Sequence, residues 1–243
     1  HSKEYVDRLC NLELSKNEIR SIGFPLSEDL IKREFLIAGG TIMGAEKALD
    51  CGIAMNIAGG THHAFPNRGE AFCLLNDQAI GAQHLLDKGY AKKILILDLD
   101  VHQGNGTASI FKNNKDVFTC SVHGAKNYPF RKEVSDYDVS MEDNCSDSVY
   151  IEEIQSLLHK LYDKIVPDFI FYLCGVDILE SDKLGRLGMS ITGCKKRDEL
   201  VLSFCKEKGI PVQCSMGGGY SKDLRVIIEA HANTFRVAKT LFT

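Results

Sequence analysis

Short apolar runs that alternate with helical segments limit the fold of this chain more than any other feature. The apolar runs lie at residues 53–57, 94–97, 117–121, 169–173 and 212–216. Segments with helical periodicity lie at about 33–50, 76–88, 147–165, 194–208 and 224–241. Runs this short and this continuously apolar are typical of parallel strands that helices cover on both faces. The sequence therefore predicts an α/β fold with a doubly wound, mainly parallel sheet.

Polar residues and glycines mark the ends of the predicted helices. Asn76 and Thr192 are predicted N-caps, and either Ser146 or Asp147 is a third. Gly209 follows a helical segment at the point where a left-handed residue commonly ends a helix. These signals place helices between the apolar runs, as the alternating pattern requires.

The length and composition of the chain suit a single domain. The 243 residues, 44% of them hydrophobic, can bury the core of one large α/β domain. No repeat or Pro/Ser-rich linker interrupts residues 1–243, so we expect one domain. The chain begins at His1, inside a segment predicted to be helical, so we expect further sequence upstream of it.

Charge and cysteine usage narrow the classes of function. A net charge of -4 gives no basic surface of the kind that binds nucleic acid. No apolar run approaches the roughly 20 residues that cross a membrane, so we expect neither nucleic acid nor a membrane as a partner. The nine cysteines are scattered without a Cys-x-x-Cys pair. This usage suits a reducing cytoplasm, or a eukaryotic nucleus, better than a disulfide scaffold.

Polar residues follow each of the five apolar runs. The five clusters are Gly59-Gly60-Thr61-His62-His63, Asp98-Leu99-Asp100-Val101-His102, Ser121-Val122-His123, Cys174-Gly175-Val176-Asp177 and Met216-Gly217-Gly218-Gly219-Tyr220. The carboxyl ends of parallel strands meet at one edge of a sheet, and ligands bind in the crevice beyond that edge. The sequence therefore predicts that all five clusters contribute to a single site.

The second cluster has the composition of a metal site. Side chains at alternate positions of an extended segment point the same way, which places Asp98, Asp100 and His102 on one side. Asp100 and His102, joined by Asp177, would form an Asp-His-Asp set with one coordination position open, the pattern of a catalytic zinc site. Asp98 either binds the same metal, orients His62, or holds a monovalent cation together with backbone carbonyls.

Two histidines and a tyrosine supply the remaining chemistry. Beside a metal that lowers the pKa of water from about 15.7 toward 7, His62 or His63 can act as general base and then as general acid. Tyr220 follows three glycines, and its hydroxyl can hydrogen-bond a developing oxyanion, an effect worth about 3 kcal/mol. Metal, base and oxyanion donor together predict metal-assisted hydrolysis of a carbonyl compound such as an amide.

These motifs resemble those of the zinc-dependent histone deacetylases and their bacterial relatives. The motifs that carry the resemblance are Gly60-Thr61-His62-His63-Ala64, Asp98-Leu99-Asp100-Val101-His102-Gln103-Gly104-Asn105-Gly106, Cys174-Gly175-Val176-Asp177-Ile178-Leu179 and Gly217-Gly218-Gly219-Tyr220. The segments most similar to class IV members are 103–105, 177–185 and 197–201. The similarity implies the arginase/deacetylase fold, a three-layer α/β/α sandwich, whose first strand would lie upstream of His1.

The resemblance also implies a role for each matched residue. The residues that match the ligands of one zinc ion are Asp100, His102 and Asp177. His63 matches the principal base, His62 its electrostatic partner paired with Asp98, and Tyr220 the oxyanion donor. The residues that match a monovalent-cation site, which would hold K⁺, are Asp98, Asp100, His102 and Ser121. The residues that match the acyl-lysine tunnel are Phe72, Tyr128, Leu184 and Gly218.

One departure from the family pattern concerns the base. Asn105 stands where class I members carry an aspartate beside the second histidine. A neutral amide stabilises an imidazolium less than a carboxylate does, so we expect His63 to be less basic than in those members.

The leading hypothesis is a zinc-dependent deacylase that acts on an N-acyl-lysine side chain of a peptide or protein. An amidohydrolase for acetylpolyamines or other small acylated amines on the same fold is the first alternative. A two-manganese ureohydrolase is disfavoured because Gly104 stands where an Asp-x-His-x-Asp run needs a carboxylate. A third alternative is an inactive module that binds acyl-lysine, which would have no need of His62, His63 and Tyr220.

Overall fold

A computed structural model describes residues 1–243. The strands are β1 (Ile53–Asn56), β2 (Ile94–Asp98), β3 (Val117–Gly124), β4 (Tyr137–Met141), β5 (Phe169–Leu173) and β6 (Val212–Ser215). The helices are α1 (Lys3–Cys10), α2 (Lys16–Ile22), α3 (Glu28–Cys51), α4 (Asp77–Asp87), α5 (Asn105–Ile110), α6 (Asp147–Ile165), α7 (Ile191–Lys208) and α8 (Leu224–Phe242). Strands and helices alternate over most of the chain, as the pattern of apolar runs predicts.

The six strands form one sheet in the order β1-β6-β5-β2-β3-β4, and every neighbouring pair is parallel. β2 lies inside the sheet between β5 and β3. Its last residue, Asp98, is in register with Leu173 on β5 and Ser121 on β3. The carboxyl ends of β5, β2 and β3 therefore lie side by side, which brings the polar segments that follow them together.

Alternate residues of the inner strands pack against helices on opposite faces of the sheet. Leu95 and Leu97 belong to the larger hydrophobic cluster, which includes residues of α6, α7 and α8. Ile94 and Ile96 belong to a second cluster with residues of α3 and α4. Helices thus cover both faces, and the predicted three-layer α/β/α architecture is confirmed. None of the helices combines the length and the apolar character that crossing a membrane requires.

The predicted strands and long helices are confirmed, with three additions and two corrections. The helix predicted from about residue 33 begins at Glu28, after the N-cap Ser27. The short elements α2, α5 and β4 were not predicted, because none contains a long apolar or periodic stretch. The predicted N-cap Thr192 is wrong: it lies inside α7, and Ser190 caps this helix by accepting a hydrogen bond from the Gly193 amide at 2.9 Å. Residues 191–193 precede the periodic apolar positions, so the periodicity predicts a start that is too late.

A buried ion pair supports the loops that follow β2 and β5. Arg197 of α7 is fully buried and lies 2.8 Å from the carboxylate of Asp198. Its guanidinium also donates to the carbonyl oxygens of Gly175 at 2.6 Å and Leu99 at 3.3 Å. Buried carbonyl groups need such partners, so this arginine fixes the backbone from which the polar clusters project.

Candidate metal centre and active site

Asp100, His102 and Asp177 converge beyond the carboxyl ends of β2 and β5. One ligand atom from each residue lies within 4.8 Å of the other two. Nδ1 of His102 is 3.0 Å from Oδ1 of Asp100 and 3.1 Å from Oδ2 of Asp177. Zinc binds carboxylate oxygens and imidazole nitrogens, and three protein ligands with a fourth position open are the pattern of its catalytic sites. The geometry therefore provides one compact place for a cation.

Backbone groups hold the two carboxylates in position. The amide of Gly218 donates to Oδ2 of Asp100 at 2.9 Å, and the amide of Val101 donates to Oδ1 of Asp177 at 2.9 Å. A Cβ atom at position 218 would lie 2.3 Å from Oδ2 of Asp177, so this close approach requires glycine. These hydrogen bonds thus orient the carboxylate oxygens that face His102.

The charges of this group favour a cation at its centre. Burial, reinforced by the nearby charge of Asp100, raises the pKa of Asp177 to about 7. Burial alone would lower the pKa of His102, but its hydrogen bonds to Asp100 and Asp177 outweigh that effect and raise it to about 10. Buried carboxylates that face each other resist ionising together unless a positive charge lies between them. The three side chains therefore fit a divalent metal ion.

His62 is paired with a buried carboxylate. Its Nδ1 lies 2.6 Å from Oδ2 of Asp98, and its Nε2 lies 3.9 Å from Oδ1 of Asp100. Burial by itself would lower the pKa of His62, but the charges of Asp98 and Asp100 and the hydrogen bond to Asp98 raise it to about 9. His62 is therefore the positively charged histidine of the adjacent pair at neutral pH.

His63 has the opposite character. Its Nδ1 lies 2.7 Å from Oδ1 of Asn105, a neutral partner. Burial lowers the pKa of His63 well below its usual value, and the charge of His62, whose ring centroid is 4.0 Å away, adds to that effect. His63 is therefore neutral at pH 7 and able to accept a proton. Two adjacent titratable groups with divergent pKa values are a common arrangement for acid-base catalysis.

A buried aspartate holds the loop that carries the two histidines. Asp77, the first residue of α4, accepts hydrogen bonds from the amides of Gly60 and Thr61, both at 2.9 Å. It also accepts a hydrogen bond from Oγ1 of Thr61 at 2.8 Å. Sequence reasoning missed this residue. The only local signal was an acidic side chain directly after the N-cap Asn76.

A cavity of about 700 Å³ is lined by both histidines and by the three candidate metal ligands, Asp100, His102 and Asp177. The residues predicted for the substrate tunnel all line it, and they are Phe72, Tyr128, Leu184 and Gly218. The ring of Tyr128 meets the ring of His63 edge-on, with centroids 5.0 Å apart. Aromatic walls of this kind suit the methylene stem of an extended ligand.

Tyr220 lines the same cavity and is 44% exposed. Its amide donates to Oδ2 of Asp182 at 2.5 Å, which fixes its backbone after the glycine run. Burial raises the pKa of the Tyr220 phenol, and the charges of Cys73 and Asp100 act in the same direction. The hydroxyl is therefore protonated at neutral pH and able to donate a hydrogen bond into the cavity.

The residues predicted for a monovalent-cation site also lie near one another. Asp98 and Ser121 are register partners on adjacent strands, and Oδ1 of Asp98 accepts a hydrogen bond from the amide of Asp100 at 3.1 Å. Oγ of Ser121 is 3.0 Å from Nδ1 of His123. His102 follows Asp100 by two residues on the same loop. A potassium ion at this place stays a prediction.

Three basic residues line the outer part of the cavity. Lys126, Lys183 and Arg186 are all exposed and contribute to its wall. Lys126 and Arg186 share one partner, Asp143, at 3.5 Å and 2.7 Å. Lys183 has no ion-pair partner, so exposed basic groups line the mouth of the cavity. Sequence reasoning missed this feature because nothing in the overall net charge of -4 reveals a local basic patch.

Comparisons with known proteins give consistent results. A family profile described as "Histone deacetylase domain" matches residues 1–235. An uncharacterized protein of Picosynechococcus is 42% identical over 242 residues, which cover 100% of this chain and 81% of that protein.

Named histone deacetylases are more distant. Histone deacetylase 2 of Arabidopsis thaliana is 33% identical over 82% of this chain and 52% of its own length. Histone deacetylase RPD3 of Saccharomyces cerevisiae is 31% identical over 91% of this chain and 55% of its own length. The chain therefore spans about half the length of these two proteins.

Proposed function

The chain belongs to the histone deacetylase family, and we propose that it is a zinc-dependent deacylase that hydrolyses the amide of an N-acyl-lysine side chain. The observation that carries this proposal is the meeting of three different groups in one cavity. They are a compact metal-ligand set, a neutral histidine beside a charged one, and a protonated tyrosine. Hydrolysis of an unactivated amide needs a polarised carbonyl, a base and an oxyanion donor.

Asp100, His102 and Asp177 are the residues that would hold the zinc ion. When bound, zinc would supply Lewis-acid polarisation of the acyl carbonyl and would lower the pKa of a water molecule.

The protein side chains account for the proton transfers. His63 has Nε2 as its free ring nitrogen, since Nδ1 is occupied by Asn105, and it accepts a proton from the attacking water. Tyr220 donates a hydrogen bond to the oxygen that becomes negatively charged as the carbonyl carbon turns tetrahedral. Breakage of the C–N bond then requires a proton on the departing amine, which a histidine of the pair donates. The charge of His62 stabilises the negative charge that builds up in the transition state.

The cavity supports an acyl-lysine substrate over an acetylpolyamine. Phe72 and Tyr128 provide flat apolar surfaces for the methylene stem of lysine. The exposed basic residues Lys126, Lys183 and Arg186 would repel the remaining protonated amines of a polyamine. A peptide that carries the acylated lysine has no such obligatory positive charge.

The structure also disfavours a two-metal ureohydrolase. A Cβ atom at Gly104 would lie 2.3 Å from Oδ2 of Asp98. A carboxylate at position 104 would therefore collide with the residue that pairs with His62. The donor atoms fit one ion per chain.

Turnover of a substrate panel tests the proposal. The panel contains peptides with acetyl-lysine, peptides with longer acyl-lysine chains, and N-acetylated polyamines, each incubated with zinc-loaded protein. We expect release of the free amine from an acyl-lysine peptide, and loss of that activity in His63→Ala. Activity confined to polyamines would favour the small-molecule amidohydrolase. Binding of acyl-lysine without turnover would favour a module that only binds.

A further inference from the structure

The amide of Asn105 has a direction that its partners determine. Its Oδ1 accepts a hydrogen bond from the amide of Gly106 at 3.0 Å, and its Nδ2 donates to Oε1 of Glu70 at 3.1 Å. A backbone N–H can only donate and a carboxylate can only accept, so these two contacts are incompatible with the flipped amide. Oδ1 is therefore the atom that faces Nδ1 of His63, at 2.7 Å. Nδ1 must carry the proton, and Nε2 is left unprotonated.

Glu70 is fixed in place by its own contacts. Its side chain is only 17% exposed, and its backbone pairs with that of Cys73 through two hydrogen bonds of 2.9 and 3.0 Å. Oε2 accepts a hydrogen bond from Nε of Arg68 at 3.3 Å, and Oε1 also accepts one from the hydroxyl of Tyr128. Glu70 thus places a half-buried carboxylate against Asn105, which in turn contacts His63.

We propose that Glu70 is a positioning residue for His63. Acting through Asn105 and together with the amide of Gly106, Glu70 selects the His63 tautomer with an unprotonated Nε2. Through the intervening Asn105 amide, it also supplies the negative charge that a carboxylate at position 105 would supply directly. The inference rests on the proposed function only in that His63 is the base of that reaction.

The same carboxylate connects the base to the cavity wall. The Tyr128 hydroxyl that donates to Glu70 belongs to the ring that meets His63 edge-on. Loss of Glu70 would therefore affect both the wall that contacts the substrate and the base. A test has to separate an effect on KM from an effect on kcat and on the pH profile.

Several other titratable groups surround His63. His62, Asp100 and His102 face it from the metal group, and Tyr128 faces it from the cavity wall. The thiol of Cys73 contacts its backbone. None of these residues is substituted in the variants described below, and among them only Tyr128 donates a hydrogen bond to the Glu70 carboxylate.

The first test removes the charge of Glu70 and keeps its size. In Glu70→Gln, loss of the distant negative charge lowers the pKa of His63. We expect the acid limb of kcat/KM to move to lower pH and the plateau of kcat to fall about tenfold, as for other partners that orient a reacting side chain. Glu46→Gln is the matched control, because Glu46 pairs with His84 at 2.9 Å on α3 and α4 and does not line the cavity. An unchanged profile and plateau in Glu70→Gln would overturn the proposal.

The second test asks whether Glu70→Gln changes kcat in opposite directions in the wild-type and Asn105→Asp backgrounds. In Asn105→Asp the direct carboxylate replaces the distant one, and Glu70 then faces a second negative charge without an N–H donor between them. Adding Glu70→Gln to this background should therefore raise kcat, although it lowers kcat in the background of Asn105. If Glu70 served only to support the fold, the substitution would lower activity in both backgrounds, and that result would contradict the proposal.

The third test needs no turnover. The ¹⁵N spectrum of histidine-labelled protein distinguishes protonated from unprotonated ring nitrogens, and His63→Gln identifies the His63 signals by their loss. We expect Nδ1–H in the wild type and a mixture of tautomers in Glu70→Ala, with thermal melts to verify that the variant is folded. A single unchanged tautomer of His63 in Glu70→Ala would contradict the inference. A protein with the expected spectra and no deacylase activity would instead sink the proposed function.

Discussion

His63 directs its Nδ1 at the amide oxygen of Asn105, 2.7 Å away. Burial and the charge of His62 keep the pKa of His63 low, and the hydrogen bond to this neutral amide opposes them only in part. The histidine accordingly stays unprotonated and available as a base to lower pH than it would beside a carboxylate.

Substitution Asn105→Asp should raise the pKa of His63, because a carboxylate favours the imidazolium. Activity requires the unprotonated base, so the acid limb of kcat/KM is expected at higher pH than in the wild type. A pH-rate profile for both proteins checks this prediction. Coincident acid limbs would remove Asn105 from the environment of the base.

Tyr220→Phe removes only the hydroxyl that we assign to the oxyanion. That interaction forms in the transition state, so kcat and kcat/KM should fall together by about 100-fold while KM changes little. Steady-state kinetics on an acyl-lysine peptide measures both constants. Tyr90→Phe, a change at an exposed tyrosine outside the cavity wall, is the control. A rise in KM alone would contradict the assigned role.

Removal of one ligand should release the metal. We expect one zinc ion per wild-type chain by elemental analysis and much less in Asp177→Asn, since a neutral amide replaces a buried carboxylate that faces His102. Zinc should also raise the melting temperature of the wild type and not that of the variant. Two manganese ions per chain, or full zinc occupancy in Asp177→Asn, would refute the assignment.

The basic mouth predicts a charge preference among peptides. Lys183→Glu reverses one exposed charge that has no ion-pair partner. It should lower kcat/KM for peptides with acidic residues beside the acyl-lysine and raise it for peptides with basic ones, and salt should weaken both effects. Lys16→Glu, on the exposed surface of α2 and outside the cavity wall, is the comparison. Equal effects on kcat/KM for the two peptide classes would show that the mouth does not discriminate between peptides by their charge.

The α2 N-terminus predicts an acid-sensitive contribution to stability. Hydrogen bonds from Arg8 and from Ser15 lower the pKa of Glu18 from 4.5 to about 2. A lowered folded-state pKa stabilises the protein above about pH 4.5, and this contribution is lost as the pH falls toward 2. Because the pair is at the surface, its worth is about 1 kcal/mol.

Glu18→Gln keeps the capping geometry and removes the charge. Its unfolding free energy should therefore lie below that of the wild type at pH 6, and the two should converge by about pH 2. Urea denaturation across this range measures the difference. A gap that stays constant with pH would show that the charge contributes nothing.

The sequence predicted those parts of the fold that local patterns encode. The run from Ile94 to Leu97 is apolar throughout, and it forms a buried strand with the polar cluster at its carboxyl end. β4 escaped prediction because Asp138 and Ser140 interrupt its apolar residues, as suits a strand at the edge of the sheet. Periodicity alone also misplaced the start of α7.

Long-range contacts explain what sequence reasoning missed in the site. Arg197 reaches the carbonyl of Leu99 across 98 residues, and Glu70 reaches Asn105 across 35. Neither pair has a spacing or a motif that joins its members. Such partners become visible only when the packing of α7 against the sheet, and of the loop before Cys73 against α5, is known.

The proposed metal ligands follow two strands that are neighbours in space but distant in the chain, and His102 and Asp177 are 75 positions apart in sequence. An unfolded or partly folded polypeptide therefore cannot assemble the chelate. Only correctly folded molecules would then bind the metal tightly. The zinc content of a purified batch can therefore measure the fraction of its molecules that are correctly folded.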